Sequence, residues 1–118
     1  MREAPTRARR DRPRASVIVP AHDEERAIGR CLAGLADGIA SGALEVIVVA
    51  NGCRDRTAEV ARAFRPAVTV VERTEPGKGA ALDAGRRIAT APVHVHLDGD
   101  LVTDTASVLA LAAPVAAG

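Results

Sequence analysis

The chain has 118 residues, 47% hydrophobic and 26% charged, the composition of a single globular domain with one buried core. Phe64 is its one aromatic residue, which removes the stacking platforms of single-stranded nucleic-acid binders, and no apolar run reaches the roughly eighteen residues of a membrane span. The net charge of +1 is uneven: six arginines against Glu3 and Asp11 make residues 1–14 a +4 tail, leaving −3 for the rest.

That tail has no apolar face and no hydrophobic run like that of a secretory signal, so residues 1–14 are expected to be a disordered, solvated extension. From Ala15 the pattern alternates. Ala15-Ser16-Val17-Ile18-Val19-Pro20 reads as a buried strand ended by proline. Ile28, Cys31, Leu32, Leu35 and Ile39 then recur at helical spacing, with Gly38, Ser41 and Gly42 breaking the helix. Cys31 falls on the apolar face, as a small core residue. The two cysteines, Cys31 and Cys53, lack metal-ligand spacing and fit a reduced, cytoplasmic setting.

Leu44 to Ala50 is the strongest strand signal, followed by the turn Asn51-Gly52. Asp55 is placed to cap a helix carrying Val60, Ala61 and Phe64, with Pro66 past its end. Val68 to Val71 makes a third strand. Pro76-Gly77-Lys78-Gly79 is a loop opening a helix lined by Ala81, Ala84, Gly85 and Ile88. Val93 to Leu97 makes a fourth strand running into Asp98-Gly99-Asp100, and Asp104 to Ala113 a last helix capped by Thr103 or Asp104. Strands separated by helices predict a mostly parallel sheet in a three-layer α/β/α, Rossmann-like fold over residues 15–118, with ligands beyond the carboxyl ends of the strands.

The polar candidates sit at those ends. Two carboxylates flanking Gly99 can face one hard cation, Mg²⁺ or Mn²⁺, that bridges to a diphosphate; alone, the triplet also reads as an acidic turn capping the next helix. Lys78 and the amides at a helix start suit an anion, although the P-loop spacing is missing. Asp23, Glu24 and Glu25 read as acids favouring the dipole of a first helical turn. His22 reads as a solvent-facing turn residue, and His94 and His96, two apart on one face, as surface packing rather than a metal pair. A GxGxxG after the first strand is absent, which speaks against a dinucleotide-dependent oxidoreductase. Pro20-Ala21-His22-Asp23 is likewise not the Gly-rich loop of a sugar nucleotidyltransferase.

Four segments together resemble glycosyltransferase family 2, of the GT-A fold, from Ser16 to about Asp104. Val17 to Glu25 resembles the opening "VIVPAxNEE", Val48 to Thr57 the "VVDDGSxDxT", Gly77 to Gly85 the "GKGxALNxG", and Leu97 to Asp100 the strand-end DxD. The resemblance implies that Pro20, Ala21 and Glu24 border the nucleoside, Asn51 approaches the base, and Lys78 lies near the nucleotide. It places Asp98 on the ribose or sugar side and Asp100 on the metal-diphosphate, with Gly99 between them; Asp98 and Asp100 are the implied metal ligands. It implies a UDP- or GDP-activated sugar, a metal cofactor, Mg²⁺ or Mn²⁺, and most often inversion at the sugar carbon.

Three departures stand out. Ala50 and Asn51 replace a pair of acids, and Asp83 replaces an asparagine. No catalytic base is evident after the DxD, since Asp104 is the single carboxylate there and reads as a helix cap. The acceptor-binding half that the family carries after the DxD is missing, so the chain is expected to be a fragment, a truncated product or half of a split enzyme. Its fourth strand is expected to form an open edge for self-association or a partner chain. The acceptor is unidentified, and a lipid acceptor would bring the chain to a membrane surface. The alternative function is a non-catalytic nucleotide-binding or interaction module on the same fold.

Overall fold

An uninterrupted run such as Val17-Ile18-Val19 is stable as a strand only if both of its faces are covered. In the computed structural model, which describes residues 13–65 and 67–117, every residue of β1 (Ala15–Ala21) is buried. The expected basic tail lies outside the described residues except for Pro13 and Arg14, as does Pro66. The other strands are β2 (Leu44–Asn51), β3 (Val68–Arg73) and β4 (His94–His96), in the order β3-β2-β1-β4. All three pairings are parallel, with Val17 opposite Val46 and Val95, and Asn51 opposite Arg73. The amide of Leu97 donates to Ile18 O at 3.0 Å, extending the β4 ladder to the residue before Asp98.

Period-two alternation sorts the core into two layers. Val17, Val19, Val46 and Val48 face one side and pack with Ile28, Cys31, Leu32, Leu35, Ala61 and Val108 from α1 (Ile28–Gly34), α2 (Ala36–Ser41), α3 (Thr57–Arg62), α5 (Thr105–Ala117) and their junctions. Ile18, Ile47 and Val49 face the other side, under Ala81 and Leu82 of α4 (Lys78–Ile88). This is the predicted three-layer α/β arrangement. Each fully buried Val, Leu or Ile contributes about 1.5–3 kcal/mol.

The helix predicted from Ile28 to Ile39 is two helices that meet at Leu35. The break follows from packing. A Cβ on Gly34 would lie 2.1 Å from Thr103 O, and the amide of Gly38 donates to Thr105 Oγ1 at 2.9 Å. Both glycines let the segment after β4 rest against these helices. Among the described residues no helix is long and apolar enough to cross a membrane.

Candidate functional site

Parallel strands deliver their carboxyl ends to one edge of the sheet. There Pro20, Ala21, Glu24, Asn51, Lys78, Asp98, Gly99 and Asp100, the eight residues singled out from the sequence, all line one cavity of about 390 Å³. His22, Pro76 and Gly77 line it too. The cavity lies beyond β1 and β4, where the strand order reverses, the usual ligand site in open α/β sheets. Gly52 admits the 76–77 turn: it has φ 62, and a Cβ there would meet Pro76 N at 2.9 Å.

The loops after β1 and β2 are laced together. Asp23, with φ 51, turns its Oδ1 to accept the amide of Arg54 at 2.7 Å. The amide of Glu24 donates to Thr57 Oγ1 at 2.8 Å, that of Glu25 to Asp55 Oδ2 at 3.1 Å, and that of Arg56 to Glu25 Oε1 at 3.2 Å. Asp55 Oδ1 accepts the amide of Thr57, the first residue of α3, at 3.0 Å, but the cap position itself is Arg56, so Asp55 steadies the helix start from one residue before the expected cap. The dipole reading of Asp23, Glu24 and Glu25 fails, because α1 starts only at Ile28. Their polar groups instead fasten one loop to the other, which sets Glu24 at the cavity wall.

Charge in the cavity is mostly negative. Lys78 Nζ pairs with Asp98 Oδ1 at 2.5 Å. Burial raises the Glu24 carboxyl above its ordinary range, and the negative charges of Asp100, Asp55 and Asp98 push the same way against His22. Among the described residues Asp100 has no ion-pair partner. Glu24, Asp98 and Asp100 outnumber the one ammonium in the cavity lining, and carboxylate oxygens are the donors hard divalent cations take, but among the described residues their oxygens do not gather within 4.8 Å of one another. Asp23, Cys53 and Asp55 have ligand atoms within 4.8 Å of one another, the one such group of three among the described residues. They are committed to the loop lacing, where Cys53 Sγ donates to Ala21 O at 3.4 Å, and they do not line the cavity.

Two site residues escaped sequence reasoning. His22 lines the cavity, and its Nδ1 lies 2.7 Å from Asn51 O. A carbonyl only accepts, so Nδ1 carries a hydrogen. Arg73, at the end of β3, donates from Nη1 to Asn51 Oδ1 at 2.7 Å. Nothing in the residues around Arg73 signals this; only the register of β2 against β3 does.

Placement bears on three other readings. Cys31 is fully buried, and burial, followed by the Asp100 charge, pushes its thiol up to about 11, as suits an inert core residue. His94 and His96 are exposed on the edge strand β4. Asp104 Oδ1 accepts the Ser107 amide at 2.7 Å and holds the start of α5.

Sheet order and cavity together define an open parallel α/β domain whose ligand site lies where the strand order reverses, and the solved structures it resembles place it in the GT-A class. The profile of glycosyl transferase family 2 matches residues 16–118, and the chain belongs to that family. It is 34% identical over 93 residues to glycosyltransferase AglE of Haloferax volcanii, a match covering 75% of this chain and 31% of AglE. Its fold is similar to that of glucosyl-3-phosphoglycerate synthase from Mycobacterium tuberculosis, solved with uridine diphosphate. That match has a TM-score of 0.75 at 27% identity, over 91% of this chain and 41% of that one. It is similar as well to S. aureus TarS 1–349, with a TM-score of 0.70 at 21% identity over 88% of this chain and 32% of that one. The chain thus spans about a third of the length of relatives such as AglE and TarS 1–349.

Proposed function

We propose that this chain is the donor-binding part of a glycosyltransferase that transfers a sugar from a UDP- or GDP-sugar to an acceptor, using Mg²⁺ or Mn²⁺. The observation that carries this reading is the convergence of eight residues from four chain segments on one cavity at the strand ends. The uridine diphosphate bound to the mycobacterial synthase supports a nucleotide donor.

In this reading Pro20, Ala21 and Glu24 border the nucleoside and Asn51 meets the base. The first amides of the eleven-residue α4 and the Lys78 ammonium draw the diphosphate toward the helix start. Asp98 faces the ribose or sugar side, and Asp100, with Asp98, holds the metal. The metal, when bound, neutralises charge that develops on the departing diphosphate. Asp98 shares its charge with Lys78, so each fixes where the other sits before the donor arrives.

Transfer with inversion needs a base within hydrogen-bond reach of the acceptor hydroxyl. Asp104 is occupied at the start of α5, so we look for the base and the acceptor site in the two thirds of the relatives' length that this chain does not match.

The test is calorimetric titration of the chain with UDP, GDP and their sugar conjugates, in Mn²⁺ and in chelator, beside Asp100→Ala. The expected result is one nucleotide that binds with metal and is lost with chelator or with Asp100→Ala. A folded chain that binds none of them overturns the donor-site reading. Binding that ignores both metal and Asp100 removes the metal from it and leaves a nucleotide-binding module.

A further inference from the structure

We propose that Lys78 is a latch on the cavity: in the free chain its ammonium occupies Asp98 and keeps divalent cations from that carboxylate, and a nucleotide diphosphate releases Asp98 by drawing the ammonium to itself. The proposal rests on the donor-site reading above and adds to it an order of binding, nucleotide before metal.

The carboxylates of the cavity are not gathered for a cation. Glu24, Asp98 and Asp100 all line it, yet their oxygens do not come within 4.8 Å of one another as a set. The backbone beneath the two aspartates is already fixed. Asp98 O accepts the Leu101 amide at 3.0 Å and closes the turn, and Gly99 is seated so closely that a Cβ on it would lie 3.0 Å from Ala21 Cβ. What is left to move is the side chains. Asp98 Oδ1 lies 2.5 Å from Lys78 Nζ, whereas among the described residues Asp100 has no ion-pair partner. The ammonium therefore sits on one carboxylate of the pair and leaves the other.

A cation that bridged Asp98 and Asp100 would have to displace that ammonium or lie beside it. Two cations at one carboxylate repel, so either route weakens metal binding to the free chain. The latch is nonetheless easy to open. Both side chains are more than half exposed, where an ion pair is held by little. Lys78 carries its charge on a flexible four-carbon stem, so the ammonium can change partner while α4 stays in place. A diphosphate at the start of α4 offers it more negative charge than one carboxylate does, next to backbone amides that already favour an anion. Lys78 thus repels a lone divalent cation and attracts the anion that brings one.

The experiment measures Mn²⁺ binding to the nucleotide-free full chain by electron paramagnetic resonance. The proteins are the parent, Lys78→Met, Lys78→Arg, Asp98→Asn and Lys78→Met in the Asp98→Asn background, with circular dichroism to confirm folding. We expect Lys78→Met to bind Mn²⁺ about fivefold more tightly than the parent, the scale of one exposed ion pair. Lys78→Arg, which keeps the charge, stays with the parent. The gain vanishes in the Asp98→Asn background, where Lys78 has no carboxylate to hold. A gain that persists there comes from net charge rather than from the pair, and overturns the proposal. So does a parent that binds Mn²⁺ as tightly as Lys78→Met. If Lys78→Met does not fold, Lys78→Gln takes its place with the same expected outcomes. Titrations of the same proteins with UDP and GDP in Mn²⁺ separate the two readings. Lys78→Met is expected to weaken whichever nucleotide the parent binds while it strengthens Mn²⁺ alone. Nucleotide binding to the parent, with Mn²⁺ alone unmoved by Lys78→Met, keeps the donor site and removes the latch. If neither nucleotide binds the folded parent, the donor-site reading fails and the latch fails with it.

Discussion

The Lys78 ammonium and the Asp98 carboxylate stand 2.5 Å apart, joining the first residue of α4 to the turn after β4 across the mouth of the cavity. Their side chains are 62% and 59% exposed, so the pair contributes at most about 1 kcal/mol to folding. Its role is placement. Replacing Lys78 by Met is expected to leave Tm within about 4 °C of the parent while weakening UDP–Mn²⁺ binding about tenfold, through loss of a cation beside the diphosphate. Thermal unfolding and calorimetry on the same sample check this. A large loss of Tm with unchanged binding would make the pair structural.

Asp55 has the opposite character, a carboxylate that holds the fold. Slight burial works upward on it, but hydrogen bonds from the Thr57 hydroxyl, the Thr57 amide and the Glu25 amide outweigh that and keep its pKa below the ordinary 3.8. A carboxylate with a lowered folded pKa contributes stability that is present above its unfolded value and lost as the pH falls through the folded one. Asp55→Ala is therefore expected to cost about 1–2 kcal/mol at pH 7, the usual loss for a helix-start acceptor. The difference from the parent should narrow below about pH 4. Urea unfolding at pH 7 and pH 3 measures both ends; a cost that does not depend on pH would assign the effect to packing alone.

Gly85 marks the closest seating of α4 on the sheet. A Cβ there would lie 2.4 Å from Ile18 Cγ2 and 3.2 Å from Ile18 Cγ1, and Ile18 is fully buried on the central strand. Gly85→Ala is expected to destabilise by about 1–3 kcal/mol, although alanine is the better helix former by up to about 1 kcal/mol. In an Ile18→Ala background the clash is gone, so the same substitution should cost much less. Chemical denaturation of the four proteins gives the coupling; simple additivity would contradict the close approach.

Much of the fold was legible because each local signal agreed with the sheet that covers it. The runs Ala15–Pro20 and Leu44–Ala50 read as buried strands and are buried strands. The helix from Ile28 to Ile39 was misread as continuous, since its apolar spacing does not record that Thr103 and Thr105 press against Gly34 and Gly38 from far along the chain, 67 residues away in the case of Gly38 and Thr105. The acids at 23–25 were misread for a similar reason. Their partners, Arg54, Asp55, Arg56 and Thr57, lie on a loop whose nearness is a product of parallel pairing.

The sequence by itself determined the alternation of strands and helices, the parallel sheet and the set of polar residues at its carboxyl edge. Parallel β-α-β connections can deliver strand ends only to one side, so Asn51, Asp98 and Asp100 were bound to meet there. Tertiary structure alone decided which way those residues face and what charge they feel. Register put Arg73 behind Asn51, and the turn at Gly52 brought the start of α4 beside the DxD. Those relationships depend on distances of a few ångströms between segments twenty or more residues apart, which a one-dimensional pattern does not encode.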